Sequence, residues 1–485
     1  MTPTANPTVA TPRGDYKTKE RLWEKCRALC GSEDEVKAHD VHVQHESNFL
    51  IPFSTSMDDV QYRFLKREAE LPGVSAEFMQ LLSGALLRKE PEVKLPDDVP
   101  AGAQEWITNQ FGVDGSPLSA FMLGVVREEC TTTRGFIQVD YDEETSLPFA
   151  VPHPAESVIN WRKNKTELIQ LVMLAEELLD TEYEFHPNYV PVVYVHELVN
   201  DVYQIRKFVQ LYDDKGSLKD AEWREAGPAT VPLIAGKPFD YIPIWPSNGE
   251  IEPEDPMMIT IVNKEIALYN KIARRNHLLY GAATYTPYVS GVTDAAAFKK
   301  ITEAGLGSWL HLPDKDAKLD VLKTPTEALV DLDRAIVDAY EELAKLGVRM
   351  LSPETAQSGV ALQLRNASQT ARLGTLNTRV SVIMTQVIAT MLNWRYGTDY
   401  TAEQIEFKMQ DDFANTIQGA DWMRLATEWY ENGHIPRDVW IKLLKKNDVL
   451  ETDYDDVQGM KDIQVETERF KKYSDTLGGD NGDTI

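Results

Sequence analysis

Three helical patterns follow one another between residues 255 and 396, and no other feature of this sequence constrains the fold as strongly. Apolar residues recur at three- and four-residue steps over 258–273 and over 329–346, which is typical of amphipathic helices. A third helix, opening with SGVALQ, is predicted over 358–394, and at 1.5 Å per residue it is about 55 Å long. A small mixed insert, with a short helix over 295–304, separates the first two helices. This block predicts a structural frame rather than a catalytic centre.

The segments on either side of this block predict an α+β protein. Residues 200–201, Asn-Asp, predict a tight turn between two strands. β-branched and aromatic residues are enriched where strands are predicted, and a period of three to four residues marks the helices. We predict helices over 16–29, 57–67, 76–87, 116–130, 420–432, 437–446 and 456–473, and strands over 135–141, 167–178, 190–198, 202–212 and 404–410.

Composition limits the functions that the chain can have. At 485 residues it is long enough for two or three structural units, and 42% hydrophobic with 26% charged residues is typical of a globular protein. A formal net charge of -27 argues against nucleic-acid affinity as its main property, because tight binding of duplex DNA needs clustered Lys and Arg. An acidic lining would instead repel a phosphate backbone and leave DNA free to pass.

Cysteine usage and the N-terminus predict a soluble protein of a reducing compartment. Cys26, Cys30 and Cys130 have no spacing typical of a disulfide framework. Cys26 and Cys30 share one helical face, which favours small core residues over a redox or metal pair. The first dozen residues are rich in Pro and Thr and do not resemble a signal peptide, and no apolar run of about 18 residues predicts a membrane span. We therefore expect a protein assembled in the cytoplasm.

The segment HDVHVQHE carries three histidines, and it is the strongest indication of a possible metal site. On a strand, His39 and His45 share a face while His42 points away, and on a helix the three positions drift around the axis. Neither geometry provides the close pair of ligands that HExxH provides. We interpret His39, His42 and His45 as a solvated or interfacial cluster, with a metal-dependent hydrolase as the alternative.

Motifs for nucleotide binding or nucleophilic catalysis are missing from the sequence. The glycine-rich stretch EAGLGSW lacks the GxxxxGK pattern of a phosphate-binding loop, and GxSxG does not occur. The acidic clusters at 314–320 and 453–456 lack the glycine of an EF-hand loop, so we interpret them as solvated faces. Ser358 is interpreted as a helix N-cap. We expect no enzymatic activity, no cofactor and no metal.

The order of the units resembles that of portal proteins of tailed bacteriophages, the ring-shaped head–tail connectors. An α+β unit precedes a helix, an insert, a second helix, a short loop and a long helix opening with SGVAL, and a strand and a helical tail follow. The N-terminal stretches LLSGALLRKEP, DGSPLSAF, GFIQVDY and HPAESVINWR, and the tail GHIPRDVWIKLLKKNDVLETDYDDVQ, are also similar to portal sequences. The resemblance covers about residues 16–473.

The resemblance implies an α+β, portal-like fold with a two-helix stem and a small α/β clip. The implied domains are a flexible N-terminal arm (1–14), a wing (15–255), stem helix 1 (256–283), the clip (284–324), stem helix 2 (325–348), a tunnel loop (349–357), a long helix with a wing return strand (358–415), a helical crown (416–473) and a disordered tail (474–485).

The resemblance also implies a function in the virion. Portal subunits form a ring, usually of twelve, at one capsid vertex, in contact with the major capsid protein and the scaffold. The terminase large subunit docks on the clip and threads double-stranded DNA through the channel without sequence specificity, and head–tail adaptor proteins later replace it. The portal hydrolyses nothing and contacts no membrane. A capsid-associated scaffold without a pore remains a second alternative.

Basic residues of the helical block are the candidate DNA-channel residues. Arg349 is favoured, because the loop after the second stem helix is the constriction in similar proteins. The alternative for each cation is an ion pair with an acid of a neighbouring subunit. The channel candidates are Lys264, Lys271, Arg274, Arg275, Lys345 and Arg349, and the candidates for terminase or adaptor docking on the clip are Lys299, Lys300 and Trp309.

Overall fold

The structure is a computed structural model of the 485-residue chain. It divides into two compact units, Met1–Met350 with Ala371–Asp411, and Leu351–Thr370 with Asp412–Ile485, and each unit is considered by itself. The described residues are 8–40, 48–54, 57–142, 144–165, 167–179, 188–212, 218–283, 286–303, 315–322, 327–346, 359–409, 420–446, 450, 454–455, 457–459, 461, 465 and 469.

Six helices form the N-terminal part of the first unit. Ser32 and Asp58 cap the second and third helices through capping boxes, in which the side chain of the N-cap accepts a backbone N–H. The four predicted helices are confirmed, while α2 and α5, of seven residues each, are too short to show a periodic pattern. The helices are α1 (Gly14–Cys30), α2 (Glu33–His39), α3 (Asp59–Glu68), α4 (Val74–Leu86), α5 (Ala103–Asn109) and α6 (Leu118–Thr132).

Antiparallel strands build the sheets of this unit. A five-stranded sheet has the order β4-β5-β6-β7-β8, and a three-stranded sheet has the order β11-β2-β3. The remaining strands pair as β1 with β14, β9 with β10 and β12 with β13. The strands are β1 (Glu92–Lys94), β2 (Gly135–Asp142), β3 (Leu147–Pro154), β4 (Val158–Asn164), β5 (Glu167–Leu179), β6 (Asn188–Val199), β7 (Val202–Tyr212), β8 (Leu218–Glu225), β9 (Leu233–Ile234), β10 (Lys237–Pro238), β11 (Ile244–Pro246), β12 (Thr286–Ser290), β13 (Lys318–Leu322) and β14 (Glu406–Lys408).

The predicted strands are confirmed, and the turn between β6 and β7 shows why. Asn200 and Asp201 both have positive φ, 52° and 61°, which Asn and Asp tolerate better than other non-glycine residues and which matches the twist of a hairpin. The sequence did not predict β3, whose segment LPFAVPHP contains three prolines. β3 is an edge strand of its sheet. A proline has no N–H, and at an edge its N–H position can face away from the neighbouring strand, so the sheet loses no hydrogen bond.

A buried arginine lies in the core between α1 and the sheets. The guanidinium of Arg134 lies 4.8–5.1 Å from the ring centres of Trp23, Phe136 and Trp161. It donates to the carbonyl oxygens of Ala155 and, at 3.2 Å, Val158. Burial lowers its pKa to about 10. This arginine joins the aromatic core to the backbone between β3 and β4.

The N-terminal arm predicted over 1–14 is described from residue 8 onward, and there it contacts β4. The backbone N–H of Arg13 donates to the carbonyl oxygen of Ile159 at 2.9 Å. The Arg13 guanidinium lies 4.7 Å from the ring centre of Trp161. Residues just before the first helix are therefore attached to the five-stranded sheet.

Six further helices are described along the rest of the chain, and the last two form a helical hairpin in the second unit. In that hairpin, Tyr430 and Trp440 stack with ring centres 4.7 Å apart, and Ile441 and Leu444 are buried. Both hairpin helices and the 38-residue α10 confirm the predictions, whereas the predicted helix over 456–473 lies mostly outside the described residues. The helices are α7 (Ile259–Ala283), α8 (Ala295–Thr302), α9 (Glu327–Lys345), α10 (Gly359–Tyr396), α11 (Ala420–Glu431) and α12 (Arg437–Lys446).

Candidate functional site: a helix pair and its insert

The helix α7 is buried along its first half and exposed along its second half. Met258, Val262, Tyr269 and Ala273 of the predicted stripe are buried, and Ile266 is half-buried. From Arg274 to the end of α7 each residue is half-buried or exposed. The helix therefore starts in the buried core of the first unit, and its C-terminal half lies at the surface of that unit. No described helix is both long enough and apolar enough to span a bilayer.

A buried carboxylate fixes α7 to the start of α4. Gly73, at the N-cap of α4, has a φ of 73° and no side chain that could accept the first free N–H groups. The two oxygens of Glu265 accept from the backbone N–H groups of Val74 and Ser75, at 2.7 Å each. A negative charge at a helix N-terminus is favourable, so Glu265 serves as a cap supplied from another helix.

A second polar contact holds the loop after α2 against α7. Asn270 accepts from the N–H of Ile51 at 2.7 Å and donates to the carbonyl oxygen of Phe49 at 2.8 Å. The buried Asp40 accepts from the N–H groups of Phe49 and Leu50. Burial raises the pKa of Asp40, while these two hydrogen bonds act in the opposite direction. The first half of α7 is thus held by specific hydrogen bonds in addition to apolar packing.

The helices α7 and α9 pack antiparallel, and we call them the helix pair. Lys264 Nζ lies 2.5 Å from Glu342 Oε2, and Arg275 Nε lies 2.6 Å from Asp333 Oδ1. Between them, Lys271 Nζ donates to the carbonyl oxygen of Ala335 at 3.3 Å. The contacts run in opposite directions along the two helices. Exposed ion pairs of this kind contribute only about 0.2–1 kcal/mol each, so apolar packing provides most of the stability.

Three of the four predicted channel cations on α7 therefore contact α9 of the same chain. Lys264, Lys271 and Arg275 are the three, and Arg274 is exposed with no ion-pair partner among the described residues. The side chain of Lys345, on α9, is outside the described part of the chain, and so is Arg349 with the whole predicted tunnel loop.

Between α7 and α9 lies the insert, which consists of β12, α8 and β13. Five residue pairs, from Thr286↔Leu322 to Ser290↔Lys318, form its two-stranded antiparallel sheet. Gly291, with a φ of 77°, ends β12 where an added Cβ would overlap the carbonyl oxygen of Asp316. A sheet of only two strands is marginally stable on its own. The insert therefore needs support from its helix or from a partner.

The insert exposes both cations and large apolar side chains. Tyr288, Phe298 and Leu319 are 47%, 49% and 42% exposed. Lys299 and Lys300 are exposed on α8, and Lys299 Nζ lies 3.7 Å from Glu303. Trp309, the third predicted docking residue, lies outside the described residues. Exposed aromatic and cationic residues are typical of a surface that binds another protein.

Metal-site candidates find little support in the described geometry. His39 Nδ1 lies 3.4 Å from a carboxylate oxygen of Glu24, and its ring contacts Phe49 at 5.2 Å. His42 and His45 lie outside the described residues, so the three-histidine cluster stays a prediction. In the part of the chain that the structure describes, no three His, Cys, Asp or Glu residues are placed to hold a metal.

The positions of the cysteines agree with the prediction that Cys26 and Cys30 are small core residues. Cys26 and Cys130 are buried and Cys30 is half-buried, and all three are free. Burial raises the pKa of the Cys26 and Cys30 thiols to about 12. Thiols with such a pKa are protonated at neutral pH and therefore unreactive.

Glu265 is a functional contact that the predicted site residues do not include, although the sequence carries a signal for it. Its position falls between Val262 and Tyr269 on the buried side of α7, where a carboxylate is costly unless it is hydrogen-bonded. A charged residue inside an apolar stripe thus indicates a buried partner. The identity of that partner, the start of α4, depends on packing that the stripe does not reveal.

Comparisons with known proteins give one partial family match and distant structural similarity. Residues 257–395, from α7 through most of α10, match a family model described as a domain of unknown function, DUF4055. No curated protein matches the chain. A chain of the virion of a native gene transfer agent (GTA) particle is similar with a TM-score of 0.40 and 12% identity, covering 81% of this chain and 94% of that one. A chain in the neck of an empty GTA particle, computed with C6 symmetry, has a TM-score of 0.38 and 12% identity, covering 76% and 88%.

Proposed function

We propose that this chain is the subunit of a portal ring through which double-stranded DNA enters and leaves a phage-like capsid. One observation carries the proposal: an antiparallel helix pair encloses a small α/β insert, rests on an α+β body and precedes a helix of 38 residues. This is the order of units on which the resemblance to portal proteins rests. In this proposal the helix pair is the stem, the insert is the clip and residues 349–357 form the tunnel loop.

The charges of the helix pair suit a channel that guides DNA without holding it. Lys264 and Arg275 pair with Glu342 and Asp333 of the same chain, which weakens their attraction for phosphates. The net charge of -27 acts in the same direction. We propose that the six channel candidates, led by Arg349, form weak basic rings within an acidic wall, so that a duplex slides past them.

The insert is the proposed docking surface for the terminase large subunit and later for a head–tail adaptor. Its exposed Tyr288, Phe298 and Leu319 supply apolar contact area, while Lys299 and Lys300 supply charge. Trp309 is proposed as a further member of this surface. The other proposed partners are the major capsid protein, the scaffold and eleven further copies of the chain. The ring would be assembled in the host cytoplasm, remain in the virion and have no enzymatic activity.

The mass and shape of the purified full-length chain test this proposal. Native mass spectrometry should give one discrete assembly of about twelve subunits, and negative-stain images should show rings with a central hole. A monomer or dimer would contradict the portal proposal. If such a monomer or dimer also contained stoichiometric zinc, the metal-dependent hydrolase built on His39, His42 and His45 would replace it.

A further inference from the structure

One side of the helix pair is apolar and exposed. Val330, Val337 and Tyr340 of α9 are 63%, 56% and 44% exposed, and their spacings of seven and three place them on one face of the helix. Leu279 of α7 is 45% exposed, and the antiparallel register places it at the level of the first turn of α9. We call these four residues the apolar side. Four neighbouring large apolar side chains exposed on a two-helix element indicate a surface that a partner covers.

The opposite side of the helix pair presents the free face of α7. Lys264, Lys271 and Arg275 face α9, and at 100° per residue Ala267 and Arg274 lie about 60–80° to one side of that direction, opposite the side of Leu279. Ala267 and Arg274 are both exposed. The buried Asn270 borders them on the same face, where it is hydrogen-bonded to Phe49 and Ile51. The same helical geometry turns Val330 and Val337 to the other side of the pair. Each copy of the chain therefore carries two different faces on opposite sides.

The charges of the two helices distinguish the ways in which these faces can meet. α7 contains four Lys or Arg residues and one acid, the buried Glu265, whereas α9 contains six acids and two Lys or Arg residues. Two copies of α9 in contact would bring Asp338 and Glu341, both exposed, close to the same acids of the other copy. Contact between α9 and α7 of another copy would instead pair opposite charges.

We propose that the apolar side of one copy binds the free face of α7, with Ala267 and Arg274, in a second copy of this chain. This inference rests on the proposed ring, in which copies stand side by side at equal height. Equal height places Ala267 of one copy opposite Tyr340 of its neighbour, where a small residue leaves room for the aromatic ring. Arg274 is then level with the space between Val330 and Val337, where its aliphatic stem covers the valines and its guanidinium reaches the acids of α9.

The contact is heterologous, since two different faces meet, and this has a consequence for assembly. A copy whose apolar side is occupied still offers its α7 face, so the contact propagates until a ring closes. A contact between two identical faces would stop at a dimer. Because the two faces differ, all copies have the same orientation around the ring. Each copy covers the exposed apolar side chains of the next.

Cysteine cross-linking of the assembled full-length protein tests this inference. In the double variant Ala267→Cys, Val337→Cys, the two thiols lie on opposite sides of one helix pair, so a short bismaleimide can join them only between copies. Denaturing gels should show a ladder that ends at a closed species. The single variants Ala267→Cys and Val337→Cys, treated identically, should give no more product than the wild type with its three native cysteines.

The outcomes separate this inference from the portal proposal. Rings of unchanged mass in which the double variant gives no ladder would overturn the inference and leave the portal proposal standing. A dimer from Val337→Cys alone would also overturn it, because it would show that two apolar sides meet. If the wild-type chain forms no ring, both fail. A charge exchange gives independent support: Val337→Lys should break the rings, and adding Arg274→Glu should restore them.

Discussion

At the scale of single residues, buried charged groups in this chain hold backbone and helix ends together. Arg27 of α1 donates at 2.5–2.9 Å to Glu128 and to Glu156. Burial alone would lower the pKa of Arg27, but the hydrogen bonds to Glu156 and Glu128 outweigh it and raise the pKa. The contact joins α1, α6 and the end of β3. Arg27 thus has a structural function, because it links three elements of the first unit.

Glu129 predicts a dependence of stability on pH. It is fully buried beside Ser247, and burial raises its pKa to about 8, with Glu128 and Glu254 acting in the same direction and Arg379 against them. Since the folded chain holds this proton more tightly than the unfolded chain, the stabilisation is complete below about pH 4.5 and is lost as the pH rises through about 8. Above pH 8 we expect Glu129→Gln to be more stable than the wild type, by roughly a few kcal/mol.

Denaturant unfolding followed by tryptophan fluorescence at several pH values measures this effect. His153 and His196 change the free energy of unfolding with pH in the opposite direction. Burial lowers their pKa values to about 4 and about 3, so the stability that they contribute is lost as the pH falls below 6.5. The relevant quantity is therefore the difference between the variant and the wild type, which should grow from pH 5 to pH 9. Glu105→Gln, at an exposed position of α5, should give a constant difference. A constant difference for Glu129→Gln would contradict the prediction.

At the scale of helices and strands, α7 connects the body of the first unit to the insert. The helix as a whole packs on α1, α3, α4 and α9. Its exposed second half contacts α3 through Tyr280 and the residue Phe53 through His277. A helix buried at one end and exposed at the other transmits a load on the insert to the body, because its backbone hydrogen bonds keep it stiff. How firmly α7 is attached to the rest of the first unit then depends on the polar contacts of Glu265 and Asn270 in its first half.

Loss of the Glu265 carboxylate should weaken that attachment. Glu265→Ala leaves the N–H groups of Val74 and Ser75 buried and without an acceptor, which costs about 1–3 kcal/mol for each such group. We expect a lower free energy of unfolding and faster hydrogen exchange in the first turn of α4, measured by mass spectrometry. Glu105→Ala serves as the exposed control. Unchanged exchange at α4 would show that water or another group replaces the cap.

At the scale of the whole molecule, the acidic charge has two consequences for the proposed ring. A net charge of -27 opposes adhesion of DNA, and it also makes the copies repel one another. Apolar and oppositely charged contact between neighbouring helix pairs would offset that repulsion. Salt screens both this repulsion and the opposite charges at the contact, whereas the burial of the apolar side is not screened.

Arg349→Glu tests the proposed tunnel loop at this scale. We expect rings of unchanged mass, because the residue is proposed to face the channel and not a neighbour, together with reduced packaging or retention of DNA by the particles. Nuclease-protected DNA per particle measures this effect, and Lys237→Glu, an exposed position of β10 outside the helix pair and the insert, is the matched control. Failure of Arg349→Glu to form rings would show that the residue lies in a subunit contact.

The sequence by itself determined the helices, most of the strands and their order. Periods of two and of three to four residues depend on near neighbours along the chain, so 329–346 and 202–212 predicted α9 and β7 closely. The same holds for the Asn200-Asp201 turn, whose backbone conformation depends on those two residues. The resemblance to portal proteins is also a property of this linear order.

Only the tertiary structure decided which groups meet. Lys264 and Glu342 are 78 residues apart, and Glu265 caps a helix 191 residues before it. Such partners depend on how helices pack, and a local pattern contains no information about that. Packing also decided that Val337 and Tyr340 remain exposed on α9 while Leu343 is buried. One stripe of α9 thus stabilises the chain itself, and the other is the exposed stripe that we propose a neighbouring copy covers.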